Sequence, residues 1–130
     1  MNKEIAKKWF KQARHDLTMA EKNIEIGGYD VASFLIHQSI EKLLKAVLAM
    51  EGKSIPKIHY LDELANQLNL SENIMNDIFE LVSDYMFSRY PDVSDKVPFE
   101  LYDEDTAKSK VKYAKNIFSA LSNRTKPIEG

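Results

Sequence analysis

Cysteine is absent from this chain. Its absence excludes disulfides, thiolate nucleophiles and zinc sites built on cysteine, and it fits a reducing cytoplasm, the expected location. Glycine and proline are scarce, four of each in 130 residues, too few for a turn-rich all-β fold. Charge of one sign is not in excess: the formal net charge is -2, so no bulk field draws the chain onto nucleic acid or an acidic membrane. No run approaches the roughly 20 apolar residues of a membrane span. The opening segment MNKEIAKKWFKQARHD has no long apolar stretch, so no secretory leader is expected there.

What is present is the material of a helical core. Hydrophobic residues make up 44% and charged residues 29%, enough apolar surface to offset the entropy of one ordered domain. Ala6, Phe10, Ala13, Leu17, Ala20 and Ile24 recur at steps of four and three, predicting a helix from Lys3 to Ile26 with Trp9 beside its apolar stripe. Gly27 and Gly28 should end it. A second helix is predicted from Tyr29 to Met50, with Asp30 as N-cap. Its stripe of Ala32, Ile36, Ile40, Leu43, Val47 and Met50 is widened by Phe34, Leu35, Leu44 and Leu48. A helix apolar over so much of its circumference is either the centre of a bundle or a subunit interface. Gly52 stops it.

A loop over Lys53–Ile58, biased from helix by Pro56, leads to a short helix carrying Tyr60, Leu61, Leu64, Ala65 and Leu68. Ser71 is a suitable N-cap for a fourth helix whose buried face is Ile74, Ile78, Leu81, Val82 and Tyr85, and which Pro91 ends near Ser88 or Arg89. After an irregular connection from Asp92 to Tyr102, a last helix starts near Asp103 with Ala107, Val111, Ala114, Phe118 and Leu121 inward. The sum is an all-α, up-and-down bundle of four long helices plus one short helix over residues 1–124, with a frayed tail over residues 125–130. Trp9 and Phe118, if buried, should each cost about 3–5 kcal/mol on truncation to alanine.

Three clusters carry possible chemistry. In the segment Tyr85 to Asp92, Arg89 stands just before a forced helix break, where its guanidinium can cap carbonyls or hold a phosphate or carboxylate. On the second helix, His37 and Glu41 lie one turn apart, and so do Glu41 and Lys45. One histidine and one carboxylate are too few for a metal site, so no metal and no cofactor is expected. The plainer reading is a solvated polar edge. Lys108, Lys112 and Lys115, with Lys110 nearby, form a row on the last helix that reads as its wet face. His15 and His59 complete the histidines; no hydrolase triad and no phosphate-cradling glycine loop is present.

Taken in order, these elements resemble the HEPN domain family, small helical domains named for higher eukaryotes, prokaryotes and nucleotide binding. The resemblance rests on Trp9, Ala13, Asp16, Leu17 and Ala20 in the first helix. In the second it rests on Tyr29, Ala32, Phe34 and the run from Gln38 to Ala46, QSIEKLLKA. His59 with Leu64, and the segment Ser88-Arg89-Tyr90-Pro91-Asp92, complete it. It implies a homodimer, a nucleotide or RNA ligand, and often a minimal nucleotidyltransferase partner in a toxin-antitoxin-type pair. The implied ligand-binding residues are Arg89, for the phosphate, Tyr90, Asp16, His37, Glu41 and Lys45.

The family's toxic members are metal-independent ribonucleases with an arginine followed, after four to six intervening residues, by histidine. Here the corresponding positions after Arg89 are Ser94, Asp95 and Lys96, and after Arg14 they are Met19, Ala20 and Glu21. Arg124, the last of three arginines, has no such histidine either. Ala46 also stands where active members often carry a base. The sequence therefore points to a binding module without that motif. The alternatives are a divergent ribonuclease using His37 or His59, and a structural scaffold for a partner protein.

Overall fold

The computed structural model describes residues 2–56, 60–82 and 97–129, Pro98 by its backbone alone. Among the described residues six α-helices and one 3-10 turn follow in order: α1 (Lys3–Glu25), α2 (Tyr29–Met50), α3 (Leu61–Asn66), α4 (Glu72–Val82), the turn Pro98–Leu101, α5 (Glu104–Ala120) and α6 (Ser122–Glu129). Among the described residues there is no strand, and no helix is long and apolar enough to cross a membrane.

Helix boundaries follow local chemistry. Asn2 caps α1 by accepting from the Ile5 amide at 3.1 Å. At its far end the Gly28 amide donates to the Asn23 carbonyl at 2.7 Å and the Gly27 amide to Ile24 at 3.1 Å, a Schellman closure. Gly27 sits at φ +82°, a conformation that strains any L side chain. Gly52, at φ +72°, closes α2 the same way: Lys53 donates to Leu48 and Gly52 to Ala49. Asp103 caps α5 with a 2.8 Å bond from Thr106, and the Ser71 hydroxyl accepts from Ile74. Asp30 is not a cap. The N-cap of α2 is Gly28, which has no side chain to offer, and Asp30 lies in the first helical turn as a charge at the positive end of the dipole.

The two longest helices pair along small residues. Ala6, Ala13 and Ala20, fully buried at seven-residue spacing, let α1 approach α2, and the Ser39 hydroxyl donates to the Ala13 carbonyl at 2.7 Å across the seam. The remaining circumference of α2 meets α3, α4, α5, α6 and the 3-10 turn. Of the two roles left open for α2, the centre of the bundle is the one found, with Ile36, Ile40, Leu43, Leu44, Val47 and Leu48 fully buried. Trp9 and Phe118 are only half-buried, so the larger truncation costs expected of buried aromatics do not apply in full. Phe118 still reaches the Phe10 ring, centroid to centroid 6.3 Å.

The C-terminal residues depart from the expected frayed tail. They form α6, which packs on α1 and α2 with Thr125 and Ile128 buried. Arg124 is the staple. Its Nε and Nη2 each donate at 2.7 Å to the two carboxylate oxygens of Glu51, while Nη1 donates at 2.7 Å to the Leu68 carbonyl. One guanidinium thus joins α6, the end of α2 and the segment after α3. Lys53 joins the same knot through Glu51 and the Gln67 carbonyl.

The Arg124 bonds hold the Glu51 carboxyl below its ordinary range and raise the guanidinium. A lowered carboxyl pKa adds stability above the unfolded value and loses it as pH falls through the folded one. Glu51→Gln should therefore cost about 1 kcal/mol near neutral pH, the pair being partly exposed. The gap to the parent should begin to narrow as pH falls below about 4.5, the ordinary glutamate value, and close once pH passes below the lowered folded pKa. Urea unfolding across a pH series checks this, and a gap that stays constant into acid would refute it.

Candidate functional site

Four of the residues singled out from sequence can be placed. His37, Glu41 and Lys45 follow one another at four-residue steps on α2, so they form one stripe, and they are only 2%, 7% and 4% exposed. The solvated polar edge expected of them is therefore not what the fold builds. Lys45 Nζ lies 2.8 Å from Glu41 Oε2. The same ammonium stands 5.1 Å above the centroid of Trp9 on α1. A lysine that far from water needs both the carboxylate and the ring face.

Asp16 is the fourth. It is 7% exposed on α1 and accepts from Gln12 Nε2 at 2.8 Å, one turn away. It opens not on the α2 stripe but on a groove of about 570 Å³ between α1 and α2. Ile5, Trp9 and Leu35 give that groove its apolar floor, and Lys8, Gln38 and Lys42 stand along it. Trp9 links the two regions, lining the groove and lying under the Lys45 ammonium. Arg89, Tyr90 and His59 lie outside the described residues. The structure thus brings His37, Glu41 and Lys45 together and places Asp16 in the groove instead.

Other charged groups sort by partner. Lys108 pairs with Glu104 at 2.8 Å, which raises its pKa, and Lys115 approaches Glu21 at 3.3 Å. Two members of the lysine row on α5 thus already have carboxylates, as a wet helix face would. Lys110 is instead 9% exposed and donates to the Glu80 carbonyl at 3.3 Å, tying α5 to α4. Among the described residues no three His, Asp or Glu side chains gather closely enough to hold a metal ion.

Sequence reasoning missed Trp9 as the cover of Lys45, and it missed the Arg124–Glu51 pair. The first could have been suspected from the single tryptophan one helix away. The second joins residues 73 positions apart and has no local signature.

The model of the HEPN domain matches residues 6–124. The crystal structure of TT1696 from Thermus thermophilus superposes with a TM-score of 0.85 at 24% identity, covering 92% of this chain and 97% of that one. The crystal structure of ST0689, an archaeal HEPN homologue, superposes with a TM-score of 0.81 at 31% identity, covering 93% and 98%. No curated protein matches the chain.

The buried pair makes a stability prediction. Glu41→Gln and Lys45→Met each leave a partner charge out of water, and each should cost about 2–4 kcal/mol. The double variant should cost less than the sum by more than about 1 kcal/mol. A double-mutant cycle from denaturant unfolding measures the coupling, and strict additivity would show that the two groups do not depend on each other.

Proposed function

The chain belongs to the HEPN domain family, and from that premise we propose that it is a homodimeric binding module that engages a nucleotide, RNA or a nucleotidyltransferase partner, as in a toxin-antitoxin-type pair. The observation that carries the reading is the ionisable stripe that α2 keeps out of water, His37, Glu41 and Lys45. An apolar stripe of the same shape would hold the bundle as well, so these groups are better accounted for by a ligand than by the fold. In this reading Arg89 contacts the phosphate and Tyr90 stacks on a base, while His37 and Glu41 orient the arginine, Lys45 fixes Glu41, and Asp16 lines the cleft.

A binding role is favoured over ribonuclease chemistry because none of the three arginines is followed at the required distance by histidine. His37, the substitute acid or base on the described helices, is 2% exposed, a poor position from which to exchange protons with RNA.

The test is titration of the purified protein with ATP and with a single-stranded RNA of about 12 nucleotides, a length that spans a typical single-strand site. Binding should weaken at least about tenfold in Arg89→Ala and fall with rising salt. If neither probe binds, and Arg89→Ala leaves every co-purifying protein in place, the site assignment is lost. A strictly monomeric species at micromolar concentration in light scattering would remove the dimer.

A further inference from the structure

The groove between α1 and α2 adjoins the stripe on which the binding proposal rests, sharing Trp9 with it, and its charge is unlike that of the whole molecule. From Lys3 to Arg14 the first helix carries five cations and one acid, in a chain whose net charge is -2. Lys8, Lys11 and His15 are exposed beside the groove, and Lys42 is half-buried along it. Among the described residues Lys8 and Lys11 have no ion-pair partner, and the bond that Lys42 makes goes to a neutral group, Gln38 Oε1 at 2.9 Å. The carboxylate in the groove, Asp16, is buried and already bonded to Gln12. Lys8, Lys11 and Lys42 thus outnumber the one carboxylate of Asp16, and the edge above the apolar floor is net positive.

The shape matches a helix. The groove residues fall on α1 from Ile5 to Asp16 at steps of three and four, and on α2 at Leu35, Gln38 and Lys42 in the same rhythm. Two such helical faces side by side leave a furrow into which a third helix packs its own ridge. From Ile5 to Asp16 the furrow runs about 16 Å, roughly three helical turns. Ile5 is 45% exposed on its floor, and Val31, 44% exposed, extends the Leu35 stripe along α2. A second copy of this chain laid on the groove by a twofold axis would bring the lysine-bearing edges of the two copies together, an arrangement that like charges oppose.

The geometry points to this groove as the docking site for an acidic amphipathic helix of a partner protein. Leucine-type side chains of that helix would cover Ile5, Trp9 and Leu35. Its carboxylates would meet Lys8, Lys11 and Lys42.

Trp9 is the one tryptophan of the chain, so its fluorescence reports on the groove and on the Lys45 side of the stripe, and the groove variants tell the two apart. The probe is a fluorescein-labelled peptide of about 18 residues, leucine at steps of three and four and glutamate on the flanks. It should bind with a Kd of about 1–100 μM and shift Trp9 emission. The double variant Lys8→Glu/Lys42→Glu should weaken it at least about tenfold, whereas Lys112→Glu, an exposed change on α5, should leave it unaltered. A peptide with lysine in place of each glutamate should not bind. Both groove lysines have solvent-accessible side chains, so the double variant should melt with the parent in circular dichroism. Leu35→Ala provides a second, uncharged variant that should also weaken binding.

The proposal fails if the acidic peptide does not bind below about 1 mM, or binds the charge-reversed protein equally. It also fails if Leu35→Ala dissolves a self-associated form, which would assign the groove to a second copy. An RNA oligonucleotide that shifts Trp9 emission and is released by the Lys8→Glu/Lys42→Glu change would assign it to nucleic acid instead. Loss of nucleotide binding elsewhere on the molecule decides neither way, because the Lys8→Glu/Lys42→Glu and Leu35→Ala changes alter groove residues that take no part in the stripe.

Discussion

The close approach of α1 to α2 is the constraint from which the rest of the architecture follows. Three alanines at seven-residue spacing bring the two backbones near enough for Ser39 to bond the Ala13 carbonyl. With one side of α2 occupied in this way, its other apolar residues have to be covered by everything that comes later in the chain. α4 and α5 meet each other as well as α2, and α6 returns to lie on α1. The structure is a helical hairpin with the remaining helices wrapped on its central member. A bulky residue at Ala13 would push α1 outward, break the Ser39 bond and open both the groove and the cover over Lys45.

How far the sequence discloses this differs by element. Long helices are legible because a stripe repeating at 3.6 residues has one reading over twenty positions. Their ends at Gly27 and Gly52 are legible because a positive φ is a local requirement. Asp30 shows where local rules stop. Asparagine, aspartate and serine favour the cap position, yet the Schellman closure through Gly28 had already fixed where α2 begins. The last six residues look like a tail because their support is remote. Arg124 reads as an ordinary cation near a helix end until Glu51, 73 positions earlier, is brought beside it.

The candidate site was legible as a list of residues and illegible as an arrangement. Periodicity puts His37, Glu41 and Lys45 on one line, but a line of polar groups on a helix is wet or dry according to what packs over it. Glu41 and Lys45 at four-residue spacing are the commonest kind of surface pair, and the sequence has no marker that moves such a pair indoors. Trp9 supplies part of that cover from a different helix. Burial changes the physical meaning of the pair, from a few tenths of a kcal/mol on a helix surface to a group that cannot lose one member without a large penalty. Asp16 diverged for a similar reason. It shares a family resemblance with the α2 residues, yet its position on α1 turns it into the groove.

Two surfaces of α2 therefore carry different physics. Toward the groove it presents Leu35, Gln38 and Lys42, side chains that keep contact with water and cost little to hold. On the neighbouring stripe it holds an ammonium and a carboxylate that are nearly dry. Removing two charges from water costs several kcal/mol, and their mutual attraction returns that only when the geometry is good and the remaining donors and acceptors are satisfied. Well-packed apolar side chains would serve a purely structural core at least as well. The stripe is thus the less economical solution at the most central helix of the fold, and stability alone gives no reason for it. A requirement for fixed charge beside a ligand gives one, because a charge already desolvated and oriented does not have to reorganise when its partner arrives. Charge held ready for a ligand, and not the needs of the fold, turns the α2 stripe from a packing detail into a candidate site.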